Sequence, residues 1–550
     1  MASTPVYGST PQRLSESRGA AAPLLEKTTS EVFAETARRF PDREALVVRQ
    51  ENVRLTWREL AAAVEETAAG LAALGLRPGD RAGVWASNCL EWILLHLGCA
   101  RAGIVLVNVN PAYRSHELRF VLAKSRIRAI FLRPRDAHAD YTAILEESRA
   151  GSALPLEHVV FMGELSWRRM LARGTEVPAH AADCQDVANI QYTSGTTGLP
   201  KGVMLTHRNL VNNARAMSLS LRMSEGDRIC APVPLYHCFG SVIGTMVSVV
   251  SGAALILPSA QFDARATLEA VHAERATTIY GVPTMFIAEL SHPEFGRFDL
   301  TSLSKGVMAG SPCPIEVMRQ VVDRMHCGEM TIIYGQTESS PAITMSRVDD
   351  PLELRVSTVG CALPNTEVKI VSRETGETQP LGQTGELCTR GYLVMKGYDQ
   401  DPEATAAAID REGWLHTGDL AVMREDGYVG FRGRAKDIII RGGENIYPRE
   451  VEEFLHEHPK IADAYIVGLP DARLGETVLA WIQLKPGETA TAEEIRSFCR
   501  GRIAYFKIPQ HIRFVETFPM TVTKKVQRFL IREQEIRERG LDEVARVETA

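Results

Sequence analysis

The stretch Gln191–His207, QYTSGTTGLPKGVMLTH, decides how the chain is read. It emerges from an apolar, strand-like run, Val187–Tyr192, and breaks at once into Thr193, Ser194, Gly195, Thr196, Thr197 and Gly198. Gly195, Gly198 and Gly202 leave the backbone free to turn its N–H groups toward one point. Lys201 adds a compact positive charge. Amide and hydroxyl donors gathered around one ammonium suit a polyphosphate. Small polar clusters usually make plain surface turns; the donor density, the lysine and the apolar strand feeding the loop favour a ligand here. The Walker A pattern G-x-x-x-x-G-K-[ST] is absent, because Gly202 follows Lys201. The stretch therefore reads as a phosphate loop outside the P-loop NTPases.

At this length the segment resembles the phosphate-binding signature of the AMP-forming adenylating superfamily, which includes acyl-CoA synthetases, luciferase-like enzymes and peptide-synthetase adenylation domains. Its nearest likeness is to the medium-chain and fatty acyl-CoA synthetases. The resemblance implies an α/β chain with a large N-terminal domain of layered sheets and helices and a small, mobile α+β C-terminal domain. It implies ATP, Mg2+ and coenzyme A as partners. The corresponding division is a disordered tail over residues 1–28, an ATP- and acid-binding domain over 29–435, and a mobile domain over 436–550 hinged near Lys436.

The whole chain is compatible with this. Its 550 residues suggest roughly three or four units of about 150 residues each. A net charge of −6 excludes a basic nucleic-acid footprint. Ten single cysteines without a C-x-x-C pair fit reduced thiols in a cytoplasmic setting. The N-terminus has no sustained apolar core of a signal peptide. Ile229–Phe262 contains no Asp, Glu, Lys or Arg, but prolines and glycines interrupt it. It reads as a loop, a buried helix near Ser241–Val250 and a strand at Ala253–Leu257 rather than a membrane span. Strand-like runs at Arg81–Ala86, Val105–Val107 and Ala129–Leu132 alternate with helical spacing, as in parallel-sheet domains. Composition leaves a homodimer open.

Further motifs extend the resemblance over nearly the whole chain. PLYHCFG, Pro234–Gly240, carries His237; a lone histidine is ordinarily a core residue, whereas the resemblance makes this one the aromatic gate beside the carboxylate substrate. GVMAGSPCP, Gly306–Pro314, is a strand running into a turn, and the resemblance sets Gly310 and Ser311 against the nucleotide. TIIYGQTES, Thr331–Ser339, repeats strand and turn, where α/β folds bind ligands. There Tyr334 can stack on a purine beside Gly335 and Gln336, Thr337 can donate to phosphate, and Glu338 offers a hard oxygen to Mg2+. By resemblance Asp419 in GWLHTGDL holds the ribose hydroxyls, and Arg434 in FRGRAKD assists it. Gly442, Gly443 and Glu444 match the loop lining the pantetheine tunnel in coenzyme A-forming members. Near the C-terminus, FPMTVTKKVQ places Lys525 at the catalytic lysine position, with Lys524 where the family has glycine.

The implied chemistry is adenylation of a carboxylate followed by thiol attack, with no covalent nucleophile from the protein. Three segments are expected to line the acid pocket: Tyr236–Gly244, Tyr280–Phe286 and Gly306–Gly310. None carries a charged side chain, which disfavours amino acids and dicarboxylates. Gly240 and Gly244, four residues apart, are expected to leave a bare groove on one helix face. Alternatives from the same residues are a ligase loading a carrier protein, a luciferase-like oxygenase, and a non-catalytic binding protein suggested by Lys524.

Overall fold

Apolar runs bounded by turn residues become strands, and the amphipathic runs between them become helices capped as their sequences dictate. Thr28 and Thr56 each accept from the backbone N–H three residues on and are met by Glu31 and Glu59, closing capping boxes at the starts of Thr29–Arg39 and Trp57–Ala73. The structure, a computed structural model, describes residues 13–136, 139–151, 153–177, 181–193, 200–310, 313–441, 444–471, 473–520 and 526–541. The chain divides into two compact units, one of Ser17–Val368 and Cys388–His416, the other of Met1–Glu16, Lys369–Leu387 and Thr417–Ala550. Strands Glu16–Arg18, Thr366–Val371, Thr384–Gly391, Leu415–Met423 and Val429–Arg434 follow one another, in that order, in a five-stranded sheet.

The larger unit is built on two sheets. One has seven strands in the order Gly397–Tyr398, Lys201–Thr206, Val187–Thr193, Val105–Asn108, Arg81–Trp85, Ala129–Leu132 and His158–Phe161. Its last five strands run parallel, and Lys201–Thr206 turns back antiparallel on Val187–Thr193. The second has nine strands, with a parallel core from Glu329–Gly335 through Lys305–Ala309, Thr278–Gly281, Arg228–Cys230 and Ala254–Leu257 to Glu44–Val48. Helix Leu90–Ala102 is buried at every residue except Leu90 and Arg101. A Cβ on Gly98 would stand 2.9 Å from the Thr67 methyl, so glycine there lets this helix approach Trp57–Ala73 closely.

In the smaller unit, Ile461–Asp471 and Gly475–Leu484 form a long antiparallel pair, with Ile439–Arg441, Glu444–Ile446 and His511–Phe514 completing the sheet. The strands alternate between two cores. Ala464, Ile466, Val478, Ala480 and Ile482 face helices Pro448–His456 and Ala492–Cys499, while Val467, Leu469, Leu479 and Trp481 face helix Arg528–Arg539.

Two expectations need correction. The tail expected to be disordered to residue 28 is held by hydrogen bonds from Arg13 onward: Ser15 Oγ donates to the Pro380 carbonyl, Ala22 N–H to Asn365 Oδ1, and Leu25 N–H to Asn212 Oδ1. Low sequence hydrophobicity hid this, because polar groups (backbone, amide and one hydroxyl) make the bonds. The bare groove at Gly240 and Gly244 is also not there. The charge-free run does form a loop, a buried helix and a strand, but Phe239–Met246 is a π-helix continued by Val247–Ser251. A Cβ on Gly240 would fall 2.2 Å from the Pro234 carbonyl oxygen, so Gly240 allows a backbone contact rather than an opening. At Gly244 the nearest atoms are 3.7 and 3.8 Å away. Gly240→Ala is therefore expected to destabilise by about 1–3 kcal/mol through overpacking, and Gly244→Ala by less than about 1 kcal/mol. Equal melting temperatures for the two variants contradict this assignment.

His96 gives the fold a pH dependence. Its ring stands edge-on to Trp92 at 5.5 Å, and its Nδ1 is buried without a hydrogen-bond partner among the described residues. Burial, reinforced by His207, lowers its pKa to about 4. An unfolded imidazole titrates near ~6.5, so on acidification the unfolded chain takes up this proton first. The contribution of neutral His96 is complete above that pH and is lost as pH falls toward the folded value. His96→Leu is expected to shrink the stability lost between pH ~6.5 and ~4.5 by about 2 kcal/mol, read by chemical denaturation. Identical losses in the two proteins place the titration elsewhere.

Candidate active site

The larger unit brings five of the expected site residues together: Thr193, Lys201, Glu338, Thr337 and His237. Thr193 and Lys201 face each other across the antiparallel pair that flanks residues 194–199. A strand-to-strand connection, instead of the strand-to-helix turn of a P-loop, explains why the Walker spacing is absent. Lys201 Nζ lies over the Tyr398 ring, 5.0 Å from its centroid. Tyr398 Oη donates to Glu338 Oε1 at 2.9 Å. Burial, and then the Glu338 carboxylate, push the Tyr398 phenol up, so it stays protonated and donates.

Thr337 adjoins Glu338 in a 3₁₀ turn, and its Oγ1 lies 3.8 Å from Cys238 Sγ. Cys238 Sγ is 3.5 Å from His237 Nδ1, which also accepts the Phe239 backbone N–H at 3.1 Å. With Nδ1 accepting, the neutral imidazole carries its proton on Nε2. His237 is fixed by the turn that starts the π-helix, where the Gly240 and Ser241 N–H groups both donate to its carbonyl.

The parallel strands Lys305–Ala309 and Glu329–Gly335 carry the GVMAGSPCP and TIIYGQTES turns at their C-terminal ends, paired at Ala309 and Ile333. Gly310 has φ 90°, a conformation that favours glycine. Gly335 has a different reason: a Cβ there would stand 1.9 Å from the Pro341 carbonyl oxygen. Tyr334 is half-buried at a register shift between it and Gly335, and Gln336 follows as the cap of the Thr337–Ser339 turn.

In the smaller unit, Asp419 and Arg434 pair across antiparallel strands, and Arg434 Nε lies 3.5 Å from Asp419 Oδ1. Asp419 is buried and Arg434 exposed. Gly418 reaches φ 70°, and its N–H donates to Glu386 Oε1 at 2.9 Å. Lys436 sits in the turn Ala435–Asp437; burial, then the neighbouring Arg434 charge, push its ammonium pKa down. Glu444 opens a short strand paired with Arg441. Ser194, Gly195, Thr196, Thr197, Gly198, Ser311, Gly442, Gly443, Lys524 and Lys525 lie outside the described residues.

The sequence reading missed Tyr398, Asp399 and Cys238. Asp399 is 1% exposed. Arg81 grips it with two N–H groups at 2.8 and 3.1 Å, and Ser125 Oγ donates at 2.9 Å. Ser125 Oγ in turn lies 2.7 Å from Tyr192 Oη, on the strand entering the 194–199 stretch. Arg81 and Asp399 are 318 positions apart, so no local pattern announces the pair.

The chain resembles known proteins over nearly its whole length. Residues 33–399 match the model of the AMP-binding enzyme family, and residues 450–525 match that of the AMP-binding enzyme C-terminal domain. The chain is 44% identical over 540 residues to the mitochondrial medium-chain acyl-CoA ligase ACSF2 of Rattus norvegicus, covering 93% of this chain and 88% of the relative. It resembles the solved anthranilate CoA ligase AuaEII in complex with anthranoyl-AMP, with TM-score 0.84, 26% identity, and coverage of 93% of this chain and 98% of that one. The ATP-bound MatB of Rhodopseudomonas palustris gives TM-score 0.82 and 28% identity, with 92% and 98% covered. Among the described residues, no helix is long and apolar enough to cross a membrane. The chain belongs to the AMP-binding enzyme family, within the adenylate-forming acyl-CoA synthetase superfamily.

Proposed function

We propose that the chain activates a medium-chain aliphatic, alicyclic or simple aryl monocarboxylate with ATP and transfers the acyl group to coenzyme A. The observation that carries this reading is the convergence of Lys201, Glu338, Thr337 and His237 within one unit. In the first step a carboxylate oxygen attacks the α-phosphorus and the bond to pyrophosphate breaks. In the second, the thiol attacks the acyl carbon, the bond to AMP breaks, and the thiol proton leaves. Positioning and charge stabilisation are enough for both.

Lys201 and the hydroxyls of Thr193 and Thr337 serve the polyphosphate. His237, with its proton on Nε2, presents an N–H donor beside the carboxylate. Glu338 fits Mg2+, since it is a hard oxygen ligand already oriented through one of its two oxygens; a bound Mg2+ would neutralise charge on the departing phosphates. Asp419 and Arg434 serve the ribose. Lys525 bridges carboxylate and α-phosphate, Lys436 acts as the hinge of the small domain, and Gly442–Glu444 serve the pantetheine arm.

The choice of acid rests on the uncharged segments Tyr236–Gly244, Tyr280–Phe286 and Gly306–Gly310. Phe239 and Tyr280 are buried there with ring centroids 6.1 Å apart. The relative named a medium-chain acyl-CoA ligase supports the same class. The cytoplasmic setting is proposed from the single cysteines, none of which is in a disulfide; the rat relative's name places that protein in the mitochondrion.

A panel of acids with ATP and coenzyme A tests the reading through pyrophosphate release. Medium-chain monocarboxylates are expected to outperform amino acids and dicarboxylates, and coenzyme A to sustain turnover. Turnover that needs a carrier protein instead favours the carrier-loading alternative. Lys525→Ala is expected to slow adenylate formation about 10²–10³-fold while sparing thioester formation from supplied acyl-AMP. Equal loss in both half-reactions assigns Lys525 a structural role.

A further inference from the structure

Residues 395–399 fasten the turn that bears Glu338 to the strand that begins at Lys201. The Met395 N–H donates to the Glu338 carbonyl at 2.9 Å, and the Asp399 N–H to the Gly202 carbonyl at 2.7 Å. Between them, Gly397 and Tyr398 pair antiparallel with Met204 and Val203. One end of this short strap is thus bonded to the turn bearing Glu338, and the other to the strand that begins at Lys201.

The Tyr398 side chain spans the same two points. Its hydroxyl donates to Glu338 Oε1 at 2.9 Å, and its ring lies 5.0 Å from Lys201 Nζ. The backbone around it cannot drift: the Tyr398 N–H donates to Thr405 Oγ1 at 2.9 Å, and Asp399 is gripped by Arg81 and Ser125.

Each half of the side chain has a distinct consequence. A carboxylate with one oxygen held by a donor presents the other in a fixed direction, as the strict octahedral geometry of Mg2+ requires. An ammonium resting on a ring is held by a weaker attraction than a charge-assisted bond to phosphate, so Lys201 is kept in place yet released when polyphosphate arrives. We propose that Tyr398 is a positioning residue for the first half-reaction, orienting Glu338 for Mg2+ through its hydroxyl and holding Lys201 for the polyphosphate through its ring. This rests on the reading of Glu338 as the metal ligand and of Lys201 as the phosphate cation.

The test uses the full chain without any acid and reads binding, by calorimetry, of an ATP analogue with a methylene bridge between the α- and β-phosphorus at stepped Mg2+ concentrations. Tyr398→Phe, which keeps the ring, is expected to raise the half-saturating Mg2+ concentration about 10-fold and to change analogue affinity at saturating Mg2+ by less than about 2-fold. Tyr398→Leu is expected to weaken analogue binding even at saturating Mg2+. In a Glu338→Gln background, Tyr398→Phe is expected to add nothing to the Mg2+ requirement. Tyr398→His, a ring that retains a donor, is expected to recover part of the loss and provides the comparison if the phenylalanine variant does not fold.

An unchanged Mg2+ requirement in folded Tyr398→Phe overturns the proposal, as does full additivity with Glu338→Gln. A Glu338→Gln protein with the wild-type Mg2+ requirement overturns the metal-ligand reading beneath it. Pyrophosphate release by the wild type with the acid panel reports separately on the proposed function.

Discussion

The buried carboxylate of Asp399 is the constraint on which the site depends. A charge this far from water is tolerable only when paired and hydrogen-bonded, and Arg81 at the start of its strand and Ser125 at the end of helix Ser115–Lys124 satisfy it. Removing one partner of such a pair typically costs about 3–5 kcal/mol, because the other charge is stranded. The strap carrying Asp399 therefore cannot slide along Lys201–Thr206 without exposing a stranded ion. Because the strap is fixed, Tyr398 is fixed, and with it the distance between Glu338 and Lys201. Tyr192 joins the same network through Ser125, so the strand entering the glycine-rich stretch is tied to the strand leaving it.

His237 is positioned by a second constraint, one of space. The segment Pro234–Gly240 folds back on the start of the π-helix so tightly that Gly240 meets the Pro234 carbonyl. The residue that looked like free room for a substrate is what allows the turn to close and the imidazole to accept from Phe239. π-helical turns recur at functional sites, and here the wider turn accommodates a segment buried along its whole length, Phe239–Met246. A Cβ on Gly244 would meet the Phe239 carbonyl oxygen and the Ala231 methyl at ordinary van der Waals distance, so it opens no groove either. A pattern of two glycines at helical spacing carries no information about which one faces a neighbouring backbone.

The smaller unit shows the reverse case, where local pattern was enough. Alternation along Ile461–Asp471 and Gly475–Leu484 sorts side chains onto two faces, and both faces find helices whose apolar stripes the sequence displays. Register follows, since a shift of one residue would exchange the two cores. The same legibility holds for Ala129–Leu132, Val187–Thr193 and Glu329–Gly335, where apolar runs end in turn residues, and after the last two those turn residues are expected site residues.

The α/β class, the strands that present each motif and the chemical type of the groups presented follow from side-chain period and residue chemistry within a dozen positions. Lys201, Thr337 and Glu338 were legible in that way, whereas His237 and Asp419 were singled out only by the family resemblance. Tertiary structure alone decided which partner each group has. The bond from Tyr398 to Glu338 spans 60 positions and that from Arg81 to Asp399 spans 318. Nothing local in MKGYDQ marks an aspartate that will be buried against an arginine from another strand. The N-terminal segment from Arg13 belongs to the same class, since its order comes from backbone groups meeting distant acceptors. Contacts of that kind exist only once the chain has closed its long loops, so a linear pattern cannot display them.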